Sequence, residues 1–168
     1  TFKNCWVFAM DGVGVHLPAG TGSHRNITFE GCEFLASGKN AVRLASTGME
    51  RVVFNNCKLW YSNRLNGTNA GNDRDDFVAF AGGWEMINCS MGKSANNIVA
   101  AGVPNWQGRY GATVSPNIGP WRFENNTVDG LTAPTQLAVG STTTLVGNAR
   151  ACRVKDNATA TGASAINY

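Results

Sequence analysis

One phrase recurs along this chain and limits the possible fold more than any other feature of the sequence. The copies are ITFEGCEF (27–34), VVFNNCKL (52–59), WEMINCSM (84–91), WRFENNTV (121–128), CRVKDNAT (152–159) and a clipped copy, TFKNCWVF, at 1–8. Successive copies lie 25 to 37 residues apart. A short period with insertions of variable length predicts a repeat architecture in which neighbouring copies stack on one another.

Each copy is typical of two short strands joined at one Asn, Gly or Asp residue. The joining residues are, in chain order, Asn4, Gly31, Asn56, Asn88, Asn125 and Asp156. Because Asn, Asp and Gly adopt a left-handed backbone conformation more readily than other residues, we predict a one-residue corner at each of them. Apolar residues flank the corner with a period of two, as at Phe29, Cys32 and Phe34, which indicates strands and not helix.

A second set of apolar segments lies between the copies and supplies a third strand for each repeat. These segments are GVGVHL (12–17), NAVRL (40–44), DDFVAF (75–80), NNIVAAG (96–102), TQLAVG (135–140) and ASAINY (163–168). Three strands per repeat and about six repeats predict an all-β fold, in which three parallel sheets wind around one core with little or no helix.

The length, charge and composition of the chain predict a single domain and do not indicate a nucleic-acid, membrane or metal partner. The 168 residues are enough for a single domain, 1–168, and the chain begins with Thr1 inside a repeat, which predicts a piece of a longer protein. A net charge of +3 without a Lys/Arg run does not predict a nucleic-acid partner. No apolar run approaches the ~20 residues of a membrane span. No zinc motif occurs, and we expect no metal and no cofactor.

These motifs resemble the right-handed parallel β-helix family, the pectate-lyase-like proteins, over nearly the whole chain. Among the members, the chain is most similar to bacteriophage tailspikes that bind or depolymerise polysaccharides. The resemblance implies that a left-handed residue forms the corner between two of the sheets, and that like residues stack beside it. The implied column is Cys5, Cys32, Cys57, Cys89, Asn126 and Asn157.

The cysteine column admits two interpretations. Neighbouring strands lie ~4.8 Å apart, which is within disulfide range for Cα atoms. Parallel side chains keep their Cβ atoms at the same separation, however, and a disulfide needs roughly 3.5–4.5 Å. A column of free, buried thiols is therefore the favoured interpretation, and it fits folding in a reducing cytoplasm, as for a virion protein assembled inside a bacterium.

Two insertions interrupt the repeat, at 60–76 and 101–120, and we expect them to be loops that flank the third sheet. The resemblance implies a saccharide cleft on this sheet. Aromatic rings stack on sugar rings, and Arg binds carboxylates in a bidentate manner. The candidate binding residues in the insertions are Trp60, Tyr61, Arg64, Arg74, Trp106, Arg109 and Tyr110. The alternative is that the aromatic residues only pin the loops to the sheets and that the arginines are ordinary exposed charges.

Candidate catalytic residues are Asp73, Asp75 and Asp76, because glycoside hydrolysis needs two carboxylates. A solvated acidic loop or a cation site would use the same residue types. His16 and Arg43 occupy equivalent places in two repeats, and both should point outward, with Ala79 in the next repeat. They are candidates for the floor of the cleft, and ordinary exposed polar residues are the alternative.

The sequence therefore predicts binding, and cleavage by a glycosidase or lyase, of a bacterial surface polysaccharide by part of a phage tailspike. The resemblance also implies a homotrimer located in the virion. One alternative is a secreted, extracellular bacterial lyase or hydrolase of the pectate-lyase-like kind. A second alternative is a non-enzymatic adhesin or structural spike.

Overall fold

The computed structural model of the chain describes residues 1–8, 10–63, 76–92, 112–114, 120–129, 137–139, 152–155 and 158–159. Every regular element in these residues is a β-strand, and no helix occurs among them. The prediction of an all-β chain is confirmed for this part of the protein.

The strands form three sheets. The first sheet contains β1 (Phe2–Lys3), β4 (His24–Glu30), β7 (Met49–Asn55), β10 (Trp84–Ile87), β13 (Trp121–Glu124) and β16 (Cys152–Lys155). The second contains β2 (Trp6–Phe8), β5 (Glu33–Leu35), β8 (Lys58–Trp60), β11 (Ser90–Gly92), β14 (Thr127–Asp129) and β17 (Ala158–Thr159). The third contains β3 (Val15–Gly20), β6 (Val42–Ser46), β9 (Phe77–Ala79), β12 (Ala112–Val114) and β15 (Leu137–Val139).

The chain visits the three sheets in the same order each time, and we call each set of first-, second- and third-sheet strands a repeat. Within every sheet, strands from successive repeats are hydrogen-bonded neighbours and run parallel. The predicted three parallel sheets are thus confirmed. Residues 25 or more positions apart become neighbours about 4.8 Å apart, so each sequence column becomes a physical column of side chains.

One strand assignment was wrong. The place in the third sheet between β9 and β15 belongs to β12, Ala112–Val114, which lies inside the insertion 101–120 that the sequence predicted to be a loop. The segment 96–102, which the sequence predicted for that place, lies outside the described residues, as does 163–168. A segment of three residues is too short to show an alternation of apolar and polar residues. Ala112–Val114 is recognised as a strand only because it pairs with β9 and β15.

The corner between the first and second sheets has the predicted backbone. Asn4, Gly31, Asn56, Asn88 and Asn125 have φ between 52° and 62°. Asp156 lies outside the described residues. At Gly31 a Cβ atom would lie 2.5 Å from Oδ1 of Asn4, so this repeat combines the left-handed conformation with a close approach from its neighbour. One residue in this conformation turns the chain from one sheet into the next.

The core consists of the inward side chains of all three sheets. Phe2, Phe29 and Phe54 stack in consecutive repeats, with ring centroids 5.0 and 4.9 Å apart. Trp84 and Trp121 continue the pattern with parallel rings at 5.4 Å. Because equivalent inward positions repeat at the strand spacing, flat aromatic rings pack face to face along the column and exclude water from the centre of the molecule.

The cysteines beside the corner are free and form a column with a regular hydrogen-bond pattern. Cys32, Cys57 and Cys89 are buried, whereas Cys5 is exposed. The Sγ atoms of Cys57 and Cys89 each donate to the carbonyl of the inward Phe of the preceding repeat, at 3.4 Å. Asn126 takes the same role in the next repeat, since its Nδ2 donates to the carbonyl of Met86 at 3.0 Å.

The interpretation of the column as free thiols therefore holds for Cys5, Cys32, Cys57 and Cys89. Burial raises the pKa of the Cys32 thiol, and burial raises the pKa of the Cys89 thiol well above its usual range. At Cys32 and Cys89 the neutral thiol is favoured because a thiolate in this dry corner would lose its hydration. At Cys57, between them, a hydrogen bond from the Cys89 thiol lowers the pKa in spite of burial. Asn126 also accepts from the Cys89 amide at 2.8 Å, so each column member is a small polar filler that satisfies backbone groups.

Candidate functional site

The outer face of the third sheet begins with the His16 and Arg43 pair that the sequence predicted. The two residues stand opposite each other in the parallel pairing of β3 with β6. His16 is exposed and Arg43 is half-buried. The residue at the same position in β9 is Val78, not Ala79, which is one residue further on and faces inward beside Leu44. The prediction of Ala79 at this place was wrong by one residue because the strand boundary in DDFVAF was misplaced.

A depression of about 450 Å³ opens over this pair. The described residues that line it are Val13, His16, Ala19, Lys39, Arg43 and Ala45. Small apolar side chains form part of the floor, and the nitrogen-bearing side chains of His16, Lys39 and Arg43 form its polar part. No carboxylate is among these lining residues. The lining of the depression therefore places cationic side chains next to small apolar ones.

Arg43 is held in place by an aromatic ring. Its guanidinium carbon lies 5.2 Å from the ring centroid of Phe80, which follows the end of β9. Such a cation–π contact contributes about 0.5–2 kcal/mol of interaction energy, and it orients the planar, permanently charged guanidinium group. Phe80 and Lys39 were missed by the sequence analysis. The signal for Phe80 was its position in DDFVAF, two residues after Val78 and thus on the same face.

Side chains of the third sheet are more deeply buried at β9 than at β3. Val78 and Asp76 are both fully buried, although their counterparts in earlier repeats include the exposed His16. The carbonyl of Asp76 accepts from the amide of Val42 at 3.1 Å, which extends the ladder by one residue beyond β9. A catalytic role for Asp76 stays a prediction, and its carboxylate is shielded from solvent. The other two candidate acids, Asp73 and Asp75, lie outside the described residues.

The aromatic candidates Trp60 and Tyr61 do not lie in a loop over the third sheet. Trp60 is the last residue of β8, in the second sheet, and its Nε1 donates to Oγ of Ser90 at 2.9 Å. Tyr61 has φ of 60° and meets the Trp60 ring edge-on at 6.1 Å. The left-handed residue turns the chain directly after the strand, so the insertion begins later than predicted and the two rings belong to another face.

The remaining candidates cannot be placed. Arg64, Arg74, Trp106, Arg109 and Tyr110 lie outside the described residues, and their roles stay predictions. Of the predicted site residues that the structure describes, it brings together His16 and Arg43, and it separates them from Trp60. Within the described ranges, no group of three or more His, Cys, Asp or Glu side chains is placed to hold a metal ion.

The outer faces of the other two sheets carry ion pairs between neighbouring repeats. Lys3 pairs with Glu30 on the first sheet at 3.1 Å, and Lys58 pairs with Glu33 on the second. Arg122 donates to Glu85 of the neighbouring repeat at 3.4 Å, and also to the buried Glu124 of its own strand at 2.6 Å. The exposed pairs between repeats contribute about 0–1 kcal/mol each, and they favour the observed register over a one-residue slip.

Comparisons of the chain with protein-family models, with curated proteins and with solved structures found no match. In the described residues, no helix is both long and apolar enough to cross a membrane. The functional assignment therefore depends on the geometry of the chain itself.

Proposed function

We propose that the chain is a right-handed parallel β-helix of about six repeats, and that the outer face of its third sheet binds an acidic bacterial surface polysaccharide. The observation that carries the proposal is the depression over His16 and Arg43, with Lys39 at its edge and no carboxylate among its described lining residues. The support for the β-helix is the fixed order in which the chain visits three parallel sheets.

An acidic sugar fits this surface for two reasons. An Arg guanidinium can bind a carboxylate through two parallel N–H donors, and Lys39 and Arg43 both carry positive charge. The small side chains of Val13, Ala19 and Ala45 leave room for a sugar ring beside these groups. Partial burial of Arg43 strengthens its interaction with a bound anion, because less water competes for the same groups.

The biological setting that we propose is a bacteriophage tailspike, assembled as a homotrimer and located in the virion. The support is the column of free thiols, since Cys5, Cys32, Cys57 and Cys89 form no disulfide. Free thiols suit a protein that folds in a reducing bacterial cytoplasm better than one that is secreted into an oxidising compartment.

Cleavage of the glycan is a separate part of the proposal. A glycosidase needs two carboxylates, at ~5–5.5 Å for retention or ~6.5–9.5 Å for inversion. The predicted acids Asp73, Asp75 and Asp76 are the candidates. Asp76 is fully buried, so its participation requires that substrate binding expose its carboxylate.

The test is a binding and product assay with capsular polysaccharides and lipopolysaccharides from a panel of bacteria. Affinity electrophoresis measures binding, while reducing ends and absorbance of unsaturated uronate measure cleavage. We expect at least one acidic glycan to retard the protein. Arg43→Ala should weaken that affinity about tenfold, because a hydrogen bond to a charged group contributes roughly 1.5–3 kcal/mol.

The matched control is Arg25→Ala. Arg25 lies on the first sheet, where it pairs with Glu50 at 3.0 Å and is well exposed, so its loss should leave glycan affinity unchanged. If no glycan in the panel binds, the proposed function is wrong. If a glycan binds without any product, the protein is a binding module and the part of the proposal that concerns cleavage is wrong.

A further inference from the structure

The outer face of the second sheet carries an aromatic surface that the depression does not include. Trp6 and Phe8 lie on this face in β2, and 66% and 51% of their surfaces are exposed. Their rings are nearly parallel, at 5.3 Å and 27°. Both rings point away from the core, in contrast to Phe2, which stacks on the core residue Phe29. Packing within the core therefore does not account for the presence of Trp6 and Phe8.

The sheet register extends this surface across three strands. Phe8, Leu35 and Trp60 are neighbours in β2, β5 and β8. Leu35 and Trp60 are half-buried. We call Trp6, Phe8, Leu35 and Trp60 together the aromatic shelf. Two strand spacings, about 9.6 Å, separate Phe8 from Trp60, so the shelf has the length of a short oligosaccharide and not of a single sugar.

Polar groups adjoin the shelf in the neighbouring column. Trp6, Glu33, Lys58 and Ser90 share one position in four successive strands. The side chains of Lys58 and Glu33 are 42% and 35% exposed, so both remain accessible to solvent. The Lys58 ammonium also lies 5.0 Å from the Trp60 ring centroid, and the indole N–H of Trp60 bonds to Ser90. The far end of the shelf is thus fixed in orientation.

From this arrangement we infer that the aromatic shelf is a second glycan-binding surface, which takes sugar rings by stacking and their hydroxyl groups by hydrogen bonds to Glu33 and Lys58. The inference rests on the proposed function in taking the ligand to be a polysaccharide. Sugar rings have an apolar face and polar edges, which matches an apolar column beside a polar one.

A protein partner fits this surface less well. The centre of a protein interface is depleted of charged residues, and burying the Glu33–Lys58 pair would require both ions to lose their hydration. Sugar hydroxyls replace the lost water with hydrogen bonds to the same carboxylate and ammonium. The shelf has two residues in β2 and one in each of β5 and β8, so it is narrow along the strands and extends across them, which suits an extended chain lying across the strands.

The experiment measures binding of the full chain to neutral polymers (mannan and xyloglucan) and to the acidic glycans above, by affinity electrophoresis, with sedimentation velocity in parallel. Trp6→Ala and Phe8→Ala should each weaken binding of at least one polymer about tenfold, the upper end of what one aromatic stacking contact contributes. Trp6→Tyr should recover most of the loss because it keeps a ring at the same place.

The matched control is Phe2→Ala. Phe2 and Phe8 are equally exposed, at 51%, and lie in the same repeat, but Phe2 stacks on Phe29. Its loss should lower stability and leave glycan affinity unchanged. Unfolding curves for every variant establish that a loss of binding by Trp6→Ala is not a loss of fold.

Three outcomes overturn the inference and are distinguishable from one another. If Arg43→Ala weakens glycan binding while Trp6→Ala and Phe8→Ala do not, the proposed function stands and the shelf has no part in it. If the shelf variants change only the sedimentation coefficient, the occupant is a second copy of this chain. If the unmodified protein binds no glycan, both the proposed function and the shelf fail.

Discussion

The corner column and the outer face of the third sheet are built from the same repeats, but they follow opposite rules. In the corner column the residue type hardly changes, with Cys32, Cys57 and Cys89 in successive repeats and Asn126 in the same hydrogen-bonded place. On the outer face one position holds the imidazole of His16, the guanidinium of Arg43 and the apolar side chain of Val78. Recurrence therefore marks the residues that support stacking, and variation marks the surface that is free to acquire a function.

The difference has a physical cause. An inward residue packs against its own equivalents one strand above and below, so a shape that fits once fits in every repeat. An outward residue does not pack in the core between its own equivalents and is not subject to this requirement. Four substitutions test the comparison, and they are ordered from the largest expected change in the free energy of unfolding to the smallest.

Phe54→Ala tests the inward stack. Phe54 is fully buried, stacks on Phe29 at 4.9 Å and meets Phe34 and Phe77 edge-on. We expect its loss to reduce the free energy of unfolding by about 3–5 kcal/mol, because the stacked column cannot close the cavity. Urea denaturation followed by circular dichroism measures this change. A loss as small as that of a surface substitution would contradict the stacked core.

Asn56→Ala tests the corner. The side chain of Asn56 is exposed, so its substitution removes little packing, but its φ is 53°. An Ala residue in the left-handed region costs about 1–2 kcal/mol, which is the expected fall in the free energy of unfolding. Asn56→Gly is the control and should be nearly neutral, since Gly31 fills the same place in the preceding repeat. Equal effects of the two substitutions would show that the backbone conformation is not the cause.

The double substitution Cys57→Ala/Cys89→Ala tests the thiol column through the pH dependence of stability. Burial raises the pKa of Cys89 in the folded protein, so above the ordinary thiol pKa of about 8.5 the unfolded chain releases a proton that the folded chain retains. The stability that this group contributes is complete below that pH and is lost as the pH rises, by up to about 1.4 kcal/mol per pH unit. A hydrogen bond from Cys89 lowers the pKa of Cys57, so the single substitution would also raise the pKa of Cys57 and offset the effect. The stability of Cys57→Ala/Cys89→Ala, which lacks both thiols, should therefore fall less with rising pH between pH 7 and 10 than that of the unmodified protein, as measured by denaturation curves.

The control for this prediction is Cys5→Ala, because Cys5 belongs to the same column and is exposed. Its substitution should leave the alkaline slope unchanged. Alkylation of the native protein followed by mass spectrometry gives an independent measurement. Cys5 should react before Cys32, Cys57 and Cys89, and rapid labelling of Cys89 in the folded protein would contradict the buried column.

Arg43→Ala tests the outer face and should have the smallest effect on stability. We expect a change of roughly 0.5–1 kcal/mol from the lost contact with Phe80, together with the larger loss of glycan affinity described above. Differential scanning calorimetry and affinity electrophoresis on the same preparation measure both quantities. A stability loss as large as that of Phe54→Ala would place Arg43 among the residues that hold the fold together.

The sequence by itself determined the corners and the inward columns. A left-handed Asn or Gly and alternation with a period of two are local signals, and they predicted Asn56, Phe54 and Cys57 in their observed roles. The pairing of His16 with Arg43 followed from the same period. These features were predictable because similar residue types recur at equivalent positions of successive repeats.

Only the tertiary structure decided the rest. Ala36 and Tyr61 adopt left-handed conformations at φ of 56° and 60° although neither residue type favours them. Trp60 ends a strand of the second sheet, and Asp76 is fully buried. Each of these outcomes depends on which residue stands opposite in a strand 25 or more positions away, and that contact exists only once the sheets have formed and fixed their register.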